Sequence, residues 1–373
     1  MSDRSANGAG TLPRKYFTSP KIFAAELRDI FRKRWIYAGH VSHFEKPGSY
    51  LLYQVGQDNI LILRDEENGI RAFHNVCRHR GTQLCEQSEG QLDRRIQCPY
   101  HGWTFGLNGS LLGAPNMRDC AGFDPNRYPL ISVAVHVWNG LIFLNFSERA
   151  GSFEQAFAPI SDRVARWQIF DLKSVRQITY EVQANWKLVF QNYSECYHCP
   201  KVHPALSKLT PYRASLNYLR EGPFLGGPMQ ILGDSMTMDG RSCAATLPYI
   251  EKEDQRLVYY YTIFPSIFLT LHPDYVMLHR CRPVSPDHTR ITCEWLFHPE
   301  AITKPDFDPS FAIEFWDLTN RQDWHVCELS QRGISSSAYT PGPYSDLESL
   351  LAAFDREYLR AMHQTQREFA LAD

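Results

Sequence analysis

Cys77-Arg78-His79-Arg80-Gly81 and Cys98-Pro99-Tyr100-His101-Gly102-Trp103 are the two runs whose reading decides the fold. Each holds one thiol and one imidazole a residue or two apart. Thiolates are soft ligands that suit iron–sulfur clusters or zinc, and imidazoles suit zinc, copper and iron. A structural zinc ion could take two Cys and two His, but zinc-finger halves pair Cys with Cys and His with His at wider spacing. A [2Fe–2S] centre with two Cys on one iron and two His on the other uses such mixed pairs directly, because each run gives one ligand to each iron. The spacing therefore points to Cys77, His79, Cys98 and His101 as cluster ligands.

These residues resemble the cluster motif of the Rieske non-haem iron oxygenases, large (alpha) subunit. A small Rieske ferredoxin would carry the same motif, but it needs only about 100 residues. More than 220 residues follow Cys120 here, so the rest of the chain has further work to do.

The chain has 373 residues, 43% hydrophobic and 21% charged, with a formal net charge of -2. That composition is globular, with length for two domains. It carries no basic field for nucleic acid or an anionic membrane. No apolar run approaches the roughly 20 residues needed to span a bilayer. The first residues lack the apolar core of a signal peptide, and ten Cys suit metal binding in a reducing compartment better than a disulfide scaffold. A cytoplasmic protein is expected.

Residues 1–18 read as a loose arm, and 22–35 as a helix with Phe23, Leu27, Ile30, Phe31 and Trp35 at helical spacing. From 36 to about 146 the pattern changes to short apolar runs broken by Gly, Asn and Asp. Runs 50–55, 59–63 and 140–144 are strand-like, and Leu107-Asn108-Gly109-Ser110 fits a hairpin turn. Beyond a boundary near 148–152, helices are expected over 153–167, 311–331 and 347–362. The last is opened by the capping box Ser345-x-x-Glu348. Strand-like runs occupy 175–182, 257–271 and 275–297. The fold class is α+β: an N-terminal arm and helix (1–35) packing with the catalytic domain, a small all-β cluster domain (36–150), and a larger domain (151–373) with an antiparallel sheet flanked by helices.

A second cluster of ligands follows Asn185: Gln191-Asn192-Tyr193-Ser194-Glu195-Cys196-Tyr197-His198-Cys199-Pro200-Lys201-Val202-His203-Pro204. Glu195 and His198 are three apart and share a helix face. His203 is out of helical phase, but Pro200 and Pro204 disfavour a regular helix and let it swing back toward His198. Two imidazoles and a distant carboxylate, with positions left open, form the facial triad of Fe(II) oxygenases. Cys196-x-x-Cys199 has zinc or redox spacing, yet no second pair follows, and the two read as small packing residues. For the carboxylate, helix 311–331 offers Glu314, Asp317, Asp323 and Glu328. Asp317 and Glu328 face Arg321 and Arg332 at i+4, the pattern of exposed ion pairs. Asp323 shares an inward face with Trp316, Asn320 and Cys327, where a carboxylate needs a partner.

The resemblance adds to this. Asp323 followed by Cys327-Glu328-x-x-Gln331 resembles the family's third-ligand segment. It implies Fe(II) held by His198, His203 and Asp323, with Asn192 and Glu195 acting beside the ligands. Glu195 would link a cluster histidine of one subunit to an iron histidine of the next, in a homotrimer or a multiple of one. Gln191 departs from the Glu often found before Asn192. Glu195-Cys196-Tyr197-His198, with the runs 236–241 and 272–277, is similar to members that oxidise choline, carnitine and glycine betaine. The resemblance thus implies O₂-dependent monooxygenation or N-demethylation of a small quaternary ammonium compound. Aromatic faces recognise such a cation, and 13% of the chain is aromatic, with Tyr259, Tyr260, Tyr261, Phe264, Phe268 and Tyr275 in the larger domain. Electrons would come from NAD(P)H through a separate flavin or ferredoxin-type reductase, since the chain has no dinucleotide glycine motif. Two alternatives stay open: a ring-hydroxylating dioxygenase on an aromatic acid, and a Rieske electron carrier with an interaction domain.

Overall fold

The computed structural model describes the backbone of residues 9–370 and the side chains of residues 9–362. The chain divides into two compact units. One runs from Arg32 to Phe153; the other joins the residues up to Phe31 to those from Glu154 onward.

In the first unit, short apolar runs make short strands: β1 (Ile36–His40), β2 (Ser49–Val55), β3 (Asp58–Arg64), β4 (Ile70–His74), β5 (Glu89–Gln91), β6 (Arg95–Gln97), β7 (Thr104–Gly106), β8 (Leu111–Gly113), β9 (Ala134–Trp138) and β10 (Leu141–Asn145). They form three antiparallel sheets, ordered β1-β10-β9, β4-β3-β2-β5 and β6-β7-β8. The continuous runs are the interior strands. Ile60, Leu61, Ile62 and Leu63 of β3 and Leu141, Ile142, Phe143 and Leu144 of β10 are all buried. The turn between β7 and β8 depends on Gly109, at φ +86, because a Cβ there would meet the Phe73 ring at 2.5 Å.

The second unit begins with α1 (Lys15–Thr18) and α2 (Pro20–Glu26), which continues as a π turn over Leu27–Phe31. Ser19 caps α2 by accepting from the Ile22 N–H, and Pro20 fills the first helical position. The helix expected over 22–35 therefore stops at Phe31. Trp35 belongs to the other unit, where its indole packs on Phe153 and His136 and donates to the Gly151 carbonyl. The loose arm also needs correcting. Residues 1–8 lie outside the described residues, but the next ones are anchored. Gly10 bridges to Pro343, and Leu12 and Phe17 are buried.

After α3 (Phe153–Val164), the chain builds β11 (Lys173–Val182), α4 (Trp186–Tyr193), α5 (Cys199–Val202), α6 (Pro204–Leu209), β12 (Phe224–Gln230), β13 (Leu257–Ile263), β14 (Ile267–Leu271), β15 (Val276–Ser285), β16 (His288–Phe297), α7 (Pro299–Ile302), α8 (Ser310–Ser335) and α9 (Ser349–Ala370). The six strands form one antiparallel sheet, ordered β11-β16-β15-β14-β13-β12. α8 lies against the sheet, tied by His279 of β15 to Asn320 at 3.0 Å and by the Tyr180 hydroxyl of β11 to Asp317 at 2.7 Å. At the start of α9, Glu348 accepts from the Ser345 N–H, as the capping motif requires. The fold class is α+β, as expected. Among the described residues, no helix is long and apolar enough to cross a membrane.

A buried ion pair fixes α4. Lys187 Nζ lies 2.5 Å from Glu26 Oε1, and Glu26 also accepts from the Trp186 indole at 2.9 Å and the Tyr358 hydroxyl at 2.7 Å. The ammonium sits 5.0 Å from the centroids of both the Trp186 and Tyr358 rings. Helices from the two chain ends thus clamp the helix that leads into the second ligand cluster.

Candidate metal centres

Two loops bring the first ligand set together. Cys77 and His79 follow β4, while Cys98 and His101 occupy the tip of the β6–β7 hairpin, where the Cys98 N–H donates to the Trp103 carbonyl. The loops match in detail. Gly81 donates to the Cys77 carbonyl and Gly102 to the Cys98 carbonyl, each at 3.1 Å, and both glycines have positive φ. Asn75 braces the first loop by accepting from the Leu84 and Cys85 N–H groups and donating to the Cys85 carbonyl. Cys77 and Cys98 are rooted in a core cluster with Phe73, Ile96, Trp103 and Phe105. His79 and His101 sit 4.7 Å apart by ring centroid, and His79 stacks on Trp103 at 4.8 Å. Burial pushes the Cys77 thiol up and the neighbouring Cys98 adds to this, while backbone N–H groups of His79 and Arg80 partly offset it. Two buried thiols beside two outward-lying imidazoles suit the mixed [2Fe–2S] ligand set.

The second set lies in the other unit. Residues 195–198 are not helical, which corrects the expected helix face. α4 ends at Tyr193, and the Glu195 carboxylate turns the chain by accepting from the Tyr197 and His198 N–H groups and from His198 Nδ1, the last at 2.5 Å. Such side-chain-to-backbone bonds compete with helix. The two prolines then start separate short helices, α5 and α6, with His203 at the joint between them. That joint returns His203 to His198.

His198 Nε2 and His203 Nε2 are 3.2 Å apart, and Asp323 Oδ1 lies 3.2 Å from the first and 2.8 Å from the second. Donors about 2.1 Å from one ion, as metal–imidazole bonds require, would lie about 3 Å apart on an octahedral face. The triangle fits one such ion, and among the described residues it is the group so found. Burial alone would lower His198, but the carboxylates of Asp323 and Glu195 outweigh it and raise the imidazole to about 10. Burial would raise Asp323, but His198 and His203 hold it below the ordinary carboxylate value. A cation is what this set of donors calls for. Two of the other acids of α8 are engaged elsewhere. Asp317 pairs with Arg321 at 2.9 Å, whereas Glu328 accepts from the Gln183 N–H rather than pairing with Arg332 as expected.

Cys196 and Cys199 are not separate packing residues. They form a disulfide, because the turn around His198 brings their Cα atoms to 4.9 Å. Both line a cavity of about 280 Å³ that reaches His198, His203 and Asp323. Tyr193, Tyr260, Thr319 and Trp316 also line it; the sequence puts Trp316 on the inward face of its helix but marks neither it nor Tyr193 as a cavity residue. Asn192 and Glu195 border this cavity and a second of about 490 Å³, which also reaches His198. Asn192 Oδ1 is buried with no hydrogen-bond partner among the described residues. Gln322, also unmarked in the sequence, holds His203 Nδ1 at 2.8 Å.

Residues 34–129 match the Rieske [2Fe-2S] domain, and residues 169–364, over half of the chain, match the ring hydroxylating alpha subunit (catalytic domain). The chain belongs to the ring-hydroxylating alpha subunits. It is 32% identical over 382 residues to the glycine betaine monooxygenase oxygenase subunit of Chromohalobacter salexigens, covering 92% of this chain and 83% of that one. It is 35% identical over 201 residues to the carnitine monooxygenase oxygenase subunit of Escherichia coli (strain K12), about half of each chain. Among solved structures it superposes on the quaternary ammonium Rieske monooxygenase CntA in complex with L-carnitine with a TM-score of 0.81, at 26% identity, covering 97% and 99% of the two chains. Naphthalene 1,2-dioxygenase from Rhodococcus sp. shares the fold at TM-score 0.76 and 20% identity, over 94% of each chain. As a family member the chain is the oxygenase component of a Rieske non-haem iron system. It uses a [2Fe–2S] cluster, mononuclear iron and O₂, with electrons reaching it from NAD(P)H through a separate reductase. Both the zinc reading and the pure electron-carrier reading fall with these matches.

Proposed function

We propose that the chain oxidises an N-methyl group of a small quaternary ammonium compound, as a monooxygenase or N-demethylase. The observation that carries this is the cavity against the His198, His203 and Asp323 triangle, lined by the aromatic rings of Tyr193, Tyr260 and Trp316. At about 280 Å³ it is at the small end for ligand pockets. Its rings offer the π faces that a cation without an N–H group requires. The relatives named for glycine betaine and carnitine, and the L-carnitine complex of CntA, support the same class.

In this reading Cys77, His79, Cys98 and His101 hold the cluster, and His198, His203 and Asp323 hold the iron. The iron, when bound, supplies the activation of O₂. The chain's own residues hold and orient the rest. Aromatic side chains position the cation, Asn192 borders the site with its amide oxygen buried and unpartnered among the described residues, and Glu195 keeps the outer nitrogen of His198 hydrogen-bonded. The family resemblance sets Glu195 against a cluster histidine of a neighbouring subunit. We therefore include a head-to-tail homotrimer in the proposal, since a ring closes such interfaces. A solved quaternary ammonium Rieske monooxygenase gives insight into inter-subunit electron transfer, which supports the same arrangement. A cytoplasmic location, and domain limits near 36–150 and 151–373 with the helix that ends at Phe31 joined to the larger domain, belong to the same reading.

The experiment is a substrate panel of methylated amines and aromatic acids with a surrogate reductase. Formaldehyde release matched to O₂ uptake on a betaine-like substrate is expected. A cis-diol from an aromatic acid, with no turnover of any quaternary amine, would overturn the proposal.

A further inference from the structure

We propose that Gln322 is a positioning residue for the iron site: it selects the tautomer of His203 that leaves Nε2 free to bind metal. The proposal rests on His203 being a ligand. His203 is 1% exposed, so neither ring nitrogen can turn to water. Nδ1 meets Gln322 Oε1 at 2.8 Å, and Nε2 meets Asp323 Oδ1 at the same distance. A neutral imidazole carries a single proton. With the proton on Nδ1, the ring donates to Gln322 and turns a bare Nε2 to the metal. With the proton on Nε2, it donates to Asp323 instead, and two of the three ligands are consumed by one another. The competition between those states is set by the acceptor at Nδ1, and on this ring the acceptor is Gln322.

The geometry explains how a single helix does both jobs. Gln322 and Asp323 are consecutive on α8, so their side chains leave the helix in different directions and reach opposite edges of the His203 ring. The His279–Asn320 bond holds this stretch of α8 to the sheet. The other histidine is held differently, for His198 Nδ1 faces the Glu195 carboxylate. One ligand therefore has a charged partner and the other a neutral one, so the two imidazoles are not equivalent as donors.

The test uses the full-length chain with its cluster in place and the mononuclear metal removed by chelation. Co(II) is titrated in and followed by calorimetry, and the bound ion's ligand field is read by low-temperature EPR. Gln322→Met keeps the length of the side chain but has no oxygen acceptor. It is expected to weaken Co(II) binding 10- to 100-fold, the usual cost of removing a partner behind a metal ligand, and to alter the EPR signature. Gln322→Glu restores the acceptor and is expected to bind within a few-fold of the parent. Circular dichroism and the visible spectrum of the cluster should not change. Gln322→Met binding within twofold of the parent would overturn the proposal, and so would Gln322→Glu failing as badly as Gln322→Met in a folded chain. A parent chain that binds no Co(II) would instead sink the reading of His203 as a ligand.

Discussion

Replacing Glu26 with leucine would strand the Lys187 ammonium in the core. The two side chains are 1% and 0% exposed and meet at 2.5 Å, so water cannot take over. Removing one partner of a buried pair costs about 3–5 kcal/mol. The Trp186 indole and Tyr358 hydroxyl also lose their acceptor, at about 1–3 kcal/mol for each donor left unpaired. Against a usual stability of about 5–15 kcal/mol, the single variant should be severely destabilised. Glu26→Leu combined with Lys187→Met removes the stranded charge and should recover most of the 3–5 kcal/mol, leaving the orphaned donors. The sign of the pH effect follows from burial, which holds Lys187 below the ordinary lysine value against the pull of Glu26. Without Glu26 that folded value falls further, while the unfolded value stays near 10.4. Between the two the unfolded chain binds more protons, so the stability of Glu26→Leu should rise with pH across that window. Urea unfolding followed by tryptophan fluorescence at pH 7 and 9 measures all of this. A loss under about 1 kcal/mol in the single variant, or a double variant no more stable than the single, would refute the reasoning.

Three other outcomes are expected. Asp323→Ala should abolish turnover and lower mononuclear iron occupancy with the cluster's visible spectrum unchanged; an active Asp323→Ala beside a dead Glu328→Ala would move the third ligand. Glu195→Gln keeps the shape but replaces a charge-assisted bond to His198 with one about half as strong, and single-turnover reoxidation of a pre-reduced cluster should slow 10- to 100-fold; an unchanged rate would remove Glu195 from the electron path. After denaturation and removal of the cluster, thiol counting should give eight per chain without reductant and ten with it, given the Cys196–Cys199 bridge; ten before reduction would show the pair open.

The parts legible in the sequence were those whose chemistry is carried by spacing. Cys77-x-His79 and Cys98-x-x-His101 declare a mixed cluster before any fold is known, and the inward face shared by Trp316, Asn320, Asp323 and Cys327 singles out one acid on α8. Trp35 shows the limit of periodicity. It continues the stripe of the helix, but its partners Phe153 and His136 lie in the other unit. The helix reading of Glu195 and His198 failed for a related reason. Spacing of three is also what a carboxylate needs to cap its own turn, and the backbone N–H groups of Tyr197 and His198 were within its reach. That turn closes Cys196 on Cys199, so the bridge depended on a conformation that the sequence did not display. In the run Tyr259-Tyr260-Tyr261, strand alternation separates Tyr260 from its neighbours but does not say which face meets the cavity. Tyr260 approaches Tyr193 and Trp316, whereas Tyr259 faces Trp167 and Asp254. Gln322 carries no signal at all, because a lone amide on a helix gains its meaning only from the ring beside it.

The most direct test is the metal content of the purified chain, read as iron and acid-labile sulfide per polypeptide beside the same measurement on His203→Ala. A cluster plus one mononuclear site requires three irons and two sulfides in the parent, and two irons and two sulfides in the variant. A parent with only two irons after anaerobic loading with Fe(II), or a His203→Ala chain that still holds three, would contradict the second site.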